Sequence, residues 1–139
     1  MRVFIDVNVI IDVLVQREPF YSDSYKIIQL GLNGEFETLM SAGSFNNVYY
    51  VVKKGIKDAG IAREKIFLLS NMVKICKSTP EDITQAIILF IPDFEDAIIA
   101  AAAKREKADY IITRDEADFK NSPVPAINPS QFIKQFFPS

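Results

Sequence analysis

The sequence predicts a three-layer α/β/α domain with a mostly parallel central sheet. Short apolar runs of strand character recur along the 139 residues, separated by stretches whose apolar residues fall at helical spacing. Their order is strand, helices, strand, helices, strand, helix, the pattern that builds a parallel sheet covered on both faces. No internal repeat, low-complexity tract or linker interrupts it, so residues 1–139 read as one domain.

The elements follow in order. Residues 2–6 are a short buried strand that ends in an acid, Asp6, and the apolar segment Val9–Val15 begins a helix. In Ser22–Asn33, Tyr25, Ile28 and Leu32 repeat at helical spacing, and Gly34 supplies the stop. Phe36–Met40 is a second strand. Ser44–Lys54 carries the stripe Phe45, Val48, Val51 and Val52 and ends near Gly55. Ala62–Met72 has Ile66, Leu69 and Val73 in register, although Val73–Cys76 reads equally as a short strand. Thr79-Pro80-Glu81-Asp82 starts a helix running to about Phe90, with Pro in its first turn. Asp93–Ala108 is Ala-rich and uninterrupted, hence helical. Tyr110–Thr113 is a strand closing in Thr-Arg-Asp, Ala126-Ile127 a last short strand, and Pro129–Phe137 a closing helix. Phe132, Phe136 and Phe137 suit either the core or a dimer face.

Composition removes whole classes of chemistry. The chain has no His, so it has no imidazole base, no Ser–His or Cys–His nucleophile and no His-ligated metal. Its one Cys, Cys76, forms neither an internal disulfide nor a Cys-rich zinc site. The five Gly make no dinucleotide or P-loop motif. Chemistry therefore falls to carboxylates, Lys or hydroxyls, and carboxylates favour hard cations such as Mg²⁺ or Mn²⁺. Asp6 breaks the apolar start, so no signal peptide is expected, and Ala97–Ala103 is too short to cross a bilayer. A cytoplasmic protein with no membrane partner is the expectation.

The net charge of −2 is unevenly spread. Residues 1–52 balance to −3, residues 53–77 to +5 and residues 78–139 to −4. The basic middle is either a solvated Lys-rich face or a phosphate-contacting edge beside an acidic centre.

In a parallel sheet, sites form at the carboxyl ends of the strands. That edge is where Asp6 and Asp115 fall, each just past a strand. Asp6 also reads as a turn residue, and Asn8 as a helix N-cap or a neutral oxygen ligand. Asp93 and Asp96 share a helix face; they suit a capped N-terminus, yet Asp96 borders a buried face where an unpaired charge is costly. Glu95 lies about 100° round the helix from Asp96 and reads as an outer support of the site or a solvated side chain. Asp115 and Asp118 fit a surface turn or an acidic site, Thr113 a structural or orienting hydroxyl, and Arg114 a phosphate contact or a solvated side chain. Asp12 is the weakest of the acids. Converging carboxylates raise one another's pKa, and a divalent cation offsets that repulsion.

Four segments carry a family resemblance: VFIDVNVIIDVL, SAGSFNNVYYVVKK, DFEDAIIAAAAKREKADYIITRDEADF and SPVPAINPSQFI. Together they resemble the PIN domain, a small α/β nuclease fold that includes toxins of toxin–antitoxin modules, over essentially the whole chain. The resemblance implies an Mg²⁺- or Mn²⁺-dependent endoribonuclease, commonly a homodimer, acting on RNA and inhibited by a cognate antitoxin. It maps three catalytic, metal-binding acids onto Asp6, Asp96 and Asp115, with Asn8, Asp93, Thr113 and Asp118 in support. The family's second acid, usually a Glu on the middle helix, aligns with Asn47, and its neighbour Asn46 does not restore the charge.

Two alternatives stand beside this reading. Loss of the acid at Asn47 is compatible with a PIN-fold module that binds RNA or protein without turnover. A phosphatase or receiver-type switch is the other, but the run Asp6-Val7-Asn8 lacks the second Asp of such phosphatases, and neither an early acid pair nor a late strand-end Lys is evident.

Overall fold

The computed structural model describes all 139 residues. Five strands, β1 (Arg2–Ile5), β2 (Glu37–Ser41), β3 (Lys74–Cys76), β4 (Tyr110–Ile112) and β5 (Ala126–Ile127), form one sheet in the order β3-β2-β1-β4-β5. Every neighbouring pair is parallel. Seven helices surround it: α1 (Val7–Leu14), α2 (Tyr21–Leu32), α3 (Ser44–Ile56), α4 (Ala59–Ser70), α5 (Pro80–Ile88), α6 (Phe94–Arg105) and α7 (Pro129–Phe136). No helix is long and apolar enough to cross a membrane.

Strand alternation separates the two helical layers. Val3 and Ile5 of β1 pack into a core with Ile10, Ile28, Val48 and Phe132, so α1, α2, α3 and α7 cover one face. Phe4 points the other way, into a core with Ala97, Ala100, Ala103 and Phe119, so α6 covers the opposite face. The α/β/α layering expected from the sequence is the observed architecture. The alanines of α6 are all but fully buried, as small side chains let a helix lie close on a sheet.

The starts of α5 and α6 were legible because their caps are local. Thr79 and Asp82 form a reciprocal capping box at α5, and Asp93 caps α6 with its carboxylate. Gly34, with φ of +83°, sits just past α2 in the left-handed region that glycine tolerates.

Other boundaries differ from expectation. α3 runs through Gly55 to Ile56 and ends at Lys57, which itself adopts the left-handed conformation with φ of 62°. α4 begins three residues early, at Ala59, because the Asp58 side chain accepts from the Ile61 N–H at 3.0 Å. α6 stops at Arg105, three residues short, before Lys107 turns left-handed with φ of 58°. Of the two readings of Val73–Cys76, the strand is correct: Lys74–Cys76 pairs with Leu39–Ser41 at the sheet edge. Phe132 belongs to the core, stacked edge-on against Phe36 and Tyr110.

Candidate active site at the carboxyl edge of the sheet

From β1 the chain fills one side of the sheet, β2 then β3, and afterwards crosses to β4 and β5 on the other side. The β1–β4 junction is thus the switch point, where a crevice opens beyond the strand ends. Both strands deliver polar residues there. Asp6 leaves β1, and Thr113, Arg114 and Asp115 leave β4.

Asp6 is buried and held on three sides. Its backbone N–H donates to the Ile112 carbonyl at 2.9 Å. Its Oδ1 accepts from the Val7 N–H at 2.7 Å, making it the N-cap of α1. Its Oδ2 accepts from the Thr113 hydroxyl at 2.7 Å. Thr113 Oγ1 in turn accepts from the Asp115 N–H at 3.0 Å, so one fully buried hydroxyl ties the two acids together. Asn8, on the first turn of α1, donates through Nδ2 to Asp115 Oδ2 at 2.9 Å. The capping reading of Asp6 is therefore realised, by a side chain that also bonds Thr113.

α6 brings the third acid. Asp93 Oδ1 accepts from the Asp96 N–H at 3.0 Å, which fixes the first turn. Burial raises the Asp96 pKa to about 7, and the charges of Asp6, Asp93, Asp118 and Glu95 add to the rise. Burial likewise raises Asp6 to about 6; the Thr113 and Val7 hydrogen bonds oppose this, and Asp115 and Glu95 reinforce it. Asp96 thus lies within reach of the charges of Asp6 and Asp118, and Asp6 within reach of that of Asp115. Glu95 acts on both Asp6 and Asp96, in keeping with an outer support of the site.

Asp6 is the one buried acid of this group, with Asp96 half-buried and Asp115 and Asp118 exposed; Asp6 has no cationic partner, unlike the other buried carboxylates. Asp12 is gripped by Arg114, and Asp82 by Arg105 at 2.7 Å. Arg114 neither faces solvent alone nor points into the site: it lies over the Phe20 ring at 3.9 Å while bonded to Asp12. Asn47 is exposed on the first turn of α3 and makes no side-chain hydrogen bond to the acids. Three residues of the basic segment have local roles. Lys53 and Lys54 occupy the last turn of α3, and Lys74 pairs with Glu37 at 2.9 Å near the amino ends of β2 and β3.

The donor set suits a hard cation. It consists of carboxylate, amide and hydroxyl oxygens, and Asn8 Oδ1 is buried without a hydrogen-bond partner. The side chains as placed do not converge into a closed group of three acidic ligands. Mg²⁺ does not require one, since it keeps several waters and binds through one or two carboxylates.

Fold and site together define a doubly covered parallel α/β domain with an uncompensated carboxylate cluster at its switch point. The chain belongs to the PIN domain family, whose model matches residues 2–117. It is 26% identical over 140 residues to Ribonuclease VapC1 of Aquifex aeolicus (strain VF5), covering 97% of this chain and 95% of that protein. A crystal structure of VapBC2 from Rickettsia felis bound to a promoter DNA fragment superposes with a TM-score of 0.73 at 18% identity, covering 92% of this chain and 98% of that one. A toxin–antitoxin complex from Klebsiella pneumoniae gives 0.67 at 19% identity, covering 91% and 97%.

Proposed function

We propose that this chain is a divalent-metal-dependent endoribonuclease of PIN type and the toxin of a toxin–antitoxin module. One observation carries the reading: Asp6 and Asp96 are pushed up to about 6 and about 7 by burial and by neighbouring acids, with no cation beside them. A site that holds this much unpaired acid is arranged for a positive ligand. Membership of the family and the likeness to Ribonuclease VapC1 support the same reading.

Asp6, Asp96 and Asp115 are the residues that would hold Mg²⁺ or Mn²⁺. The ion would supply a Lewis acid for a phosphodiester oxygen and lower the pKa of water. The chain's own groups do the rest. Thr113 fixes the Asp6 carboxylate and the Asp115 backbone, Asn8 aims Asp115, and Asp93 fixes the turn that presents Asp96. Asp118 adds negative field around Asp96. RNA is the proposed substrate, and a cognate antitoxin the proposed protein partner of a cytoplasmic homodimer. The Klebsiella pneumoniae structure likened above is a toxin–antitoxin complex.

The second reading, a binding module without turnover, rests on Asn47. It leaves a neutral, exposed amide where the family commonly carries an acid. Incubation of the pure protein with structured RNAs and Mn²⁺, with and without chelator, decides between the two. Cleavage that chelator and Asp6→Asn both abolish supports the nuclease. An inert wild type that binds RNA supports the module.

A further inference from the structure

Ser41 closes β2, is 4% exposed, and its hydroxyl has no hydrogen-bond partner. Only four buried side-chain atoms share that condition: Arg2 Nε, Asn8 Oδ1, Thr38 Oγ1 and Ser41 Oγ. Thr38 has a packing explanation. It lies beneath Gly31, where a Cβ would meet its Oγ1 at 2.2 Å, in the amino-terminal half of β2. Ser41 and Asn8 are at the opposite edge, beside the acids.

Register puts Ser41 next to Asp6. Phe4 of β1 pairs with Leu39 of β2, and two residues further along each strand stand Asp6 and Ser41, on the same side of the sheet. Phe4 also pairs with Ile111 of β4, which places Thr113 on the other flank of Asp6. Ser41 itself pairs with Cys76, whose side chain lies in the core beneath α6. The edge therefore reads Cys76, Ser41, Asp6, Thr113, all facing the helix that carries Asp96. Neighbouring strands lie about 4.8 Å apart, so Asp6 has a hydroxyl-bearing residue on each side. Thr113 is bonded to it, and Ser41 is not.

A buried hydroxyl that makes no bond costs stability, and alanine would fill the same space without that cost. A ligand at this edge would satisfy the hydroxyl. We propose that Ser41 is a positioning residue for a hydrated divalent cation at Asp6, its hydroxyl bonding a water of the cation's shell. This rests on the metal-dependent reading above. Three acids without a fourth at Asn47 leave more of the coordination to water, and those waters need acceptors. A hydroxyl provides one without adding to the repulsion among Asp6, Asp96 and Asp115.

The test is Mn²⁺ titration followed by thermal shift and calorimetry on wild type, Ser41→Ala, Ser41→Thr and Thr38→Ala. Ser41→Ala is expected to melt at or above the wild-type temperature without metal, yet to bind Mn²⁺ roughly 10- to 100-fold more weakly, the scale of outer-shell substitutions. Ser41→Thr, which keeps the hydroxyl, retains affinity. Thr38→Ala, which removes the other unpartnered hydroxyl of β2, leaves affinity unchanged. Wild-type affinity in Ser41→Ala overturns the proposal, while Mn²⁺ binding by the wild type that an added Asp6→Asn control abolishes keeps the metal reading intact. Equal weakening in Ser41→Ala and Thr38→Ala also overturns it, as a general effect on β2. A wild type whose melting and calorimetry do not respond to Mn²⁺ overturns both.

Discussion

The guanidinium of Arg114 grips the carboxylate of Asp12, Nε to Oδ2 at 2.7 Å and Nη2 to Oδ1 at 3.2 Å. Asp12 is fully buried, whereas Arg114 retains about a fifth of its side-chain exposure. Asp12 stands one helical turn beyond Asn8 on α1, so adjacent turns hold Arg114 and Asp115, consecutive residues of the loop after β4. The pair thus anchors the loop that supplies Thr113 to Asp6.

Unequal exposure predicts unequal costs. Arg114→Met strands a buried carboxylate with only Ser24 at 3.3 Å and Arg17 at 3.9 Å, and should cost about 3 kcal/mol or more. Asp12→Asn leaves an Arg that can turn toward water, and should cost about 1–2 kcal/mol. Urea unfolding of both variants measures the difference. Equal losses would mean that the two ends of the pair are equally desolvated.

The acid cluster sets the pH dependence of the metal-free protein. Asp6 and Asp96 bind protons more tightly folded than unfolded, with pKa values of about 6 and about 7 against an ordinary 3.8. Between those limits the folded state holds the extra protons, so stability falls as pH rises from about 4 to 7. For Asp6 alone the full change is on the order of 3 kcal/mol. Asp82 and Glu37, both lowered from ordinary values of 3.8 and 4.5, act in the opposite sense at the acid end, below about pH 5. With EDTA present, the melting temperature should be higher at pH 5 than at pH 8. Mn²⁺ should raise it more at pH 8, where the carboxylates are charged. A melting temperature independent of pH across this window would show that the acids are not crowded in solution.

The placement of Asp6 and Asp115 past strand ends and of Asp96 on the first turn of α6 was legible because strand ends and helix caps are local signals, and a parallel sheet gathers strand ends at one edge. The pairing of Asp12 with Arg114 was not, since 102 residues separate them and no periodicity encodes the contact. Arg114 was accordingly left between phosphate and solvent. Ser41 gave no signal either: a serine at the end of an apolar run looks like any strand terminus until register sets it beside Asp6. The edge strand β3 was ambiguous because three residues, two of them exposed, are too few to show alternation. For Glu95 the helix angle leaves an outer support and a solvated side chain open, and only its charge acting on Asp96 favours the first.

Asp96→Asn separates stability from function. The substitution removes a half-buried charge from a cluster that repels it, so the metal-free protein should melt higher at pH 8. The same change removes a proposed ligand, and Mn²⁺-dependent RNA cleavage should fall at least about 100-fold. Both effects are read on one preparation, by thermal melting in EDTA and by single-turnover cleavage. A variant that is both less stable and fully active would assign Asp96 to the fold alone.

Asn47→Glu asks whether the missing charge limits the site. Asn47 lies exposed on the first turn of α3, where an added carboxylate meets the positive end of the helix dipole. Stability should therefore change by no more than about 0.5 kcal/mol. If three acids hold the ion weakly for want of a fourth, the added Glu should lower the Mn²⁺ concentration needed for half-maximal cleavage by about tenfold. An inert wild type that gains cleavage through this change would establish the binding module as the native state. Unaltered metal dependence in an active wild type would mean that Asp6, Asp96 and Asp115, with neutral oxygens around them, already complete the site.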